Sequence, residues 1–126
     1  MNKSEVESLL WNKKVNEGRV RFLEERLARL KELKSETTGV QREIFMLQYD
    51  IDVADILLSM LPEHLETVVR LRLVERTTWD KMERAYRKRT GVWAPLRDLR
   101  RCYCQAMDLL TEDAKEADTE SESLWR

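Results

Sequence analysis

From Val6 onward the chain returns an apolar residue at nearly every third or fourth position, a rhythm that no strand can use. Side chains of a strand alternate between two faces, whereas a helix gathers positions three and four apart on one side. The first series runs through Val6, Leu9, Lys13, Asn16, Val20, Leu23, Leu27 and Leu30, a heptad-like seam with polar breaks at Lys13 and Asn16. The stretch "SETTG", ending at Gly39, interrupts it, because Ser, Thr and Gly favour a turn. A second series follows at Ile44, Leu47, Ile51, Ala54, Leu58 and Leu61. Two amphipathic helices with a short polar turn predict an antiparallel, coiled-coil-like helical hairpin over residues 1–61. Such a hairpin cannot cover the whole seam from Val20 to Leu30 by itself. A homodimer with its contact in residues 1–61 is therefore expected.

Three further helical stretches follow. Pro62 suits the first position of a helix, where its missing N–H is not needed, and Leu65, Val68, Val69 and Leu73 supply that helix with an apolar face. Thr77 or Thr78 is placed to cap the next helix, with Asp80 in its first turn and Trp79, Met82, Ala85 and Tyr86 as its core stripe. Gly91 is a natural stop and Pro95 a natural new start. The last helix, from about Ala94 to Leu110, is expected to bury Leu99, Cys102, Ala106 and Leu109 and to expose Arg97, Arg100, Arg101 and Cys104. Trp79 and Trp93 are both read as core anchors. With only three Gly and two Pro in 126 residues, the expected class is all-α.

Charge is near balance overall, at −1, yet it is unevenly spread. Residues 62–110 hold eleven Lys or Arg against seven Asp or Glu, while the tail "TEDAKEADTESESLWR", residues 111–126, is acidic and apolar-poor, the composition of a disordered segment. No uncharged run exceeds seven residues, too few to span a bilayer, and no apolar secretory segment opens the chain. A cytoplasmic protein without membrane contact is expected. Cys102 and Cys104 sit two apart on a helix and so point roughly 200° apart, which argues against pairing with each other. The one histidine, His64, has no metal-ligand spacing around it. With no Gly-rich phosphate loop, metal cluster or nucleophile–base–acid set, neither an enzyme nor a cofactor or small-molecule substrate is expected.

A short helix, a second helix and a third with an Arg-rich outer face form the pattern of a helix-turn-helix DNA reader, although any small bundle can present a solvated basic face. The segments "LPEHLETVVRLRLVERTTWDKMERAY" and "LRDLRRCYCQAMDLL" resemble region 4 of sigma-70 factors and, more closely, the phage-encoded ArpU-like late-gene regulators built on that region. The resemblance is carried by Leu61-Pro62, Val68-Val69-Arg70-Leu71-Arg72-Leu73, Thr78-Trp79-Asp80, and Leu99-Arg100-Arg101 with Ala106. It implies a sigma region 4-like helix-turn-helix over residues 62–110, double-stranded promoter DNA as ligand and host RNA polymerase as a second partner. Matched position by position, it implies packing for Leu99 and DNA contact for Arg97, Arg100 and Arg101. Thr78 falls at a helix cap beside a phosphate, and Arg84, Arg87, Lys88 and Arg89 at backbone contacts. Two departures stand out: Glu83 replaces the small Ala usual in mid-helix, and "RKRTGVWAP" is either a lengthened helix or an inserted loop. The competing readings are a small-terminase-like DNA-packaging protein and a helical adapter that binds polymerase or a sigma factor without DNA.

Overall fold

The computed structural model describes residues 1–111; the acidic tail beyond Thr111 lies outside them. Among the described residues the protein is all-α, with six α-helices and no strand: α1 Lys3–Trp11, α2 Lys13–Glu32, α3 Thr38–Ser59, α4 Glu63–Val69, α5 Met82–Thr90 and α6 Leu96–Leu110. Helix α4 runs on into a π-helical turn, Arg70–Val74, and a 3₁₀ turn, Trp79–Lys81, leads into α5.

The seam from Val6 to Leu30 is two helices, not one. Asn12 ends α1 in the bridge region, at φ −94° and ψ 0°, and divides the apolar series in two. Val6 and Leu10 turn onto the C-terminal helices and are fully buried with Leu58, Val68, Leu99 and Ala106 in one core. Asn2 starts α1 by accepting the Glu5 N–H at 2.9 Å.

Helices α2 and α3 pack antiparallel. Lys13 at the start of α2 meets Asp55 near the end of α3 at 3.1 Å, and Arg19 meets Glu43 at 3.2 Å. Burial pulls the Lys13 ammonium down, but hydrogen bonds to the Glu17 and Asp55 carboxylates outweigh it and leave its pKa raised. The turn lies earlier than the sequence suggests. Lys34 takes the left-handed conformation at φ 54°, the Ser35 N–H bonds to the Leu30 carbonyl at 2.9 Å, and Glu36 caps α3 by accepting the Thr38 N–H at 2.8 Å. Gly39 therefore sits inside the first turn of α3.

Val20 and Leu23 are buried, so part of the seam that motivated a contact between copies is spent within the chain. Farther out, no residue from 24 to 50 is buried, and Leu27, Leu30, Ile44 and Leu47 are only half-covered.

Helix α6 also differs from expectation. Leu99, Tyr103, Ala106, Met107 and Leu110 are buried, whereas Leu109 is exposed and Cys102 half-buried. Both series satisfy helical spacing. The observed one is favoured because Tyr103 can bury its ring and still donate its hydroxyl to the Glu7 carboxylate on α1. Burial and that hydrogen bond raise the Tyr103 phenol above its ordinary value.

Candidate nucleic-acid interface

Helices α5 and α6 carry most of the residues expected to meet DNA, and the joint between them is built by local hydrogen bonds. Gly91, at φ 78°, closes α5 in the left-handed conformation that glycine adopts without strain. Its N–H bonds to the Arg87 carbonyl at 2.7 Å. The Thr90 hydroxyl donates to the Tyr86 carbonyl at 2.8 Å and accepts from the Val92 N–H at 3.1 Å. The stretch "RKRTGVWAP" is thus a helix extended to Thr90 and then a turn of residues 91–95. At the tip of that turn Trp93 is 60% exposed, not a core anchor.

Glu83 now has a physical explanation. Pro95 precedes α6 and has no side chain able to cap it, and the Leu96 N–H instead bonds to the Glu83 carboxylate at 2.7 Å. A carboxylate from α5 ties the two helices together and occupies the positive end of the α6 dipole. An Ala at position 83 would leave that N–H without this partner.

The eight residues singled out by sequence fall into three groups. On α5, Arg84, Arg87 and Lys88 are exposed on its outward side and make no ion pair among the described residues. On α6, Arg101 is exposed in the same way, and Arg97 is 84% exposed with only a long 3.7 Å approach to Asp98. The remaining three are engaged within the protein. Arg89 pairs with Glu75 at 2.6 Å, and Arg100 stacks over the Trp79 ring at 5.5 Å. Thr78 stands at the cap position of the 3₁₀ turn but makes no side-chain cap bond; its hydroxyl instead serves Asp80, whose carboxyl it holds below the usual range.

Sequence reasoning missed a row of alternating cations and indoles. Arg76 lies over Trp11 at 4.4 Å, Arg72 lies 6.0 Å from Trp11 and 5.4 Å from Trp79, and Arg100 covers Trp79 from α6. Arg76 also donates to the Trp11 carbonyl at 2.9 and 3.2 Å, which holds its own backbone in the left-handed region at φ 57°. Trp79 adds an edge-to-face contact with Tyr103 at 5.5 Å. Each exposed cation–π contact contributes about 0.5–1 kcal/mol, so the row stiffens the junction of α1, the π turn and α6. Local sequence holds no signal for it, since Trp11 and Arg76 lie far apart in the chain.

A groove of about 280 Å³ between α1, the π turn and α6 is lined by Glu7, Ser8, Trp11, Arg72, Leu73 and Tyr103; Tyr103 donates to Glu7 across it, while Ser8 accepts from Asn12 and Arg72 donates to the Thr77 carbonyl. Among the described residues no cluster of His, Cys, Asp and Glu is arranged to hold a metal ion, and no helix is long and apolar enough to cross a membrane. Comparison with known protein families, with curated proteins and with solved structures finds no match to this chain.

Proposed function

We propose that the chain is a sequence-specific DNA-binding transcriptional regulator of phage or prophage genes, reading double-stranded promoter DNA with α6 while α5 grips the backbone. The observation that carries this reading is the set of exposed cations without ion pairs, Arg84, Arg87 and Lys88 on α5 and Arg101 on α6, with Arg97 nearly fully exposed at the start of α6. A cation engaged by a carboxylate gains little from a phosphate, whereas an unengaged one releases condensed counterions from DNA and gains binding free energy. Arg97 and Arg101 also have the two-pronged geometry that matches guanine O6 and N7.

The helix termini qualify how phosphates are met. Glu83 accepts the Leu96 N–H at the N-terminus of α6, and Asp80 places a negative charge at the entry to α5, so neither helix start offers an unopposed positive end to a phosphate. Phosphate contacts fall to side chains, and Thr78 has a smaller share than the family resemblance implies. Host RNA polymerase is a second proposed partner, on the resemblance alone.

One observation favours the adapter reading: Val92 and Trp93 present an apolar tip at the turn, as a protein-docking site would. A gel shift with mixed genomic fragments separates the two. The DNA reading expects retarded complexes that weaken as salt rises and a subset of fragments retained in competition. An adapter gives no shift at any salt.

A further inference from the structure

Helix α3 has two apolar faces, and only one is used within the chain. Ile44, Leu47, Ile51, Ala54 and Leu58 face α2 and the core. On the roughly opposite side, at 100° per residue, Phe45, Tyr49, Ile56 and Met60 fall within about 60° of one another. They are 73%, 64%, 59% and 58% exposed, and Met46 flanks them. Two aromatic and three long aliphatic side chains make a patch on the order of 500 Å², at the upper end of what a monomer leaves in water.

The spacing identifies the occupant. Phe45 and Met60 are equidistant from the midpoint between Asp52 and Val53, and so are Tyr49 and Ile56. The spacing of the stripe, though not its residue types, is the same in both directions. A second copy laid antiparallel about a two-fold axis through that midpoint sets Phe45 against the partner's Met60 and Tyr49 against the partner's Ile56. Charge favours the same arrangement. Residues 41–61 hold Arg42 against Glu43, Asp50, Asp52 and Asp55, so a parallel pair would set each carboxylate near its own copy and align the two helix dipoles. The antiparallel pair still sets Asp52 beside its counterpart and Asp50 level with the partner's Asp55, but it frees Glu43, opposes the helix dipoles and brings Arg42 toward the turn that ends at the partner's Glu63. The exposed apolar residues Val15 and Phe22 of α2 and Leu33 just beyond it are interrupted by Arg19, Arg26 and Arg29 and form no comparable stripe.

We propose that residues 45–60 of α3 form the isologous, antiparallel interface of a homodimer of this chain. With its polar flanks the stripe approaches the roughly 800 Å² per partner of a stable complex. The two C-terminal modules then leave α3 at opposite ends, with the two Met60 positions about 22 Å apart along the helix axes at 1.5 Å per residue. That arrangement suits a site with two-fold symmetry, but the pairing stands whether or not the basic face binds DNA.

Sedimentation of the full chain tests it without nucleic acid. The parent is expected to be dimeric at tens of micromolar, a range set by moderate affinities of about 1 μM. Tyr49→Asp and Ile56→Asp should each weaken association at least tenfold with helicity unchanged by circular dichroism. Phe22→Asp should leave it unaltered, and Asp52→Asn should tighten it a few-fold. Register is read by disulfide formation in a Cys102→Ser, Cys104→Ser background: Phe45→Cys and Met60→Cys proteins, mixed and oxidised, should cross-link to each other and neither to itself. A parent that stays monomeric, a Tyr49→Asp protein that stays dimeric, or Phe45→Cys cross-linking to itself would each overturn the proposal.

Discussion

The two ends of α3 differ in what covers them. Its C-terminal half packs against α1 and α4 as well as α2 and joins the main core, where Ala54 and Leu58 lose all contact with water. Its N-terminal half has α2 alone, and there nothing is buried. Two helices in contact can shield one stripe between them but not its edges, so a hairpin becomes a core only when a second layer is added. Local stability should therefore rise along α3 from Thr38 to Ser59.

The largest effect expected from that contrast is on truncation. Leu58→Ala should cost about 2–5 kcal/mol, because it empties a fully enclosed site. Leu27→Ala, in the half-covered part of the hairpin, should cost about 1 kcal/mol, little more than the transfer of the covered fraction. Equal losses for the two in denaturant unfolding would erase the distinction between the two ends of the helix.

Next in size is the link between α1 and α6. Tyr103→Phe removes a hydrogen bond to the Glu7 carboxylate, and bonds to charged groups contribute about 1.5–3 kcal/mol. The folded state holds the Tyr103 phenol above its ordinary pKa of 10.0, so its contribution is complete below about pH 10 and is lost as pH rises from there through the higher folded value. Stability of the parent should fall more steeply above pH 10 than that of Tyr103→Phe. Lys13, also raised, acts with the same sign in both proteins and cancels in the comparison. Parallel pH profiles would mean that the phenol is not held by Glu7 in solution.

A smaller loss, about 0.5–2 kcal/mol, is expected for Glu83→Ala, the range for removing a helix cap. Glu83→Gln keeps an acceptor for the Leu96 N–H and should recover most of it. Unchanged stability in both would remove the explanation given for an acidic residue at this position.

These contrasts also mark what the sequence made legible. The all-helical class follows from periodicity and from the scarcity of Gly and Pro. Registers were less secure, since in α6 the series through Leu99, Cys102, Ala106 and Leu109 and the one through Leu99, Tyr103, Ala106 and Leu110 obey the same spacing. Tertiary contacts separate them: Tyr103 reaches Glu7 on α1 and packs edge-to-face on Trp79, and Leu110 enters the same core. The break at Asn12 was hidden because polar positions at Lys13 and Asn16 look like tolerated flaws in a longer seam. Of the candidate interface, the exposed cations of α5 and α6 could be read from their helix faces. The engagement of Arg89 by Glu75 and of Arg100 by Trp79 could not, because both partners arrive through the tertiary fold.

The basic face of α5 and α6 is the central claim, and the slope of log affinity against log salt measures it most directly, with the cations of the hairpin as the internal comparison. Arg87→Ala, Lys88→Ala and Arg101→Ala should each lower that slope by about 1, the loss of one neutralised phosphate, on specific and random duplexes alike. Arg100→Ala should lower it less, its guanidinium being held over Trp79, and Arg97→Ala should cost about 1–3 kcal/mol on the specific site alone. Arg26→Ala and Arg29→Ala, also exposed but on α2, should leave the slope at the parent value. Slopes unchanged by the α5 and α6 variants, or lowered instead by those on α2, would contradict the assignment.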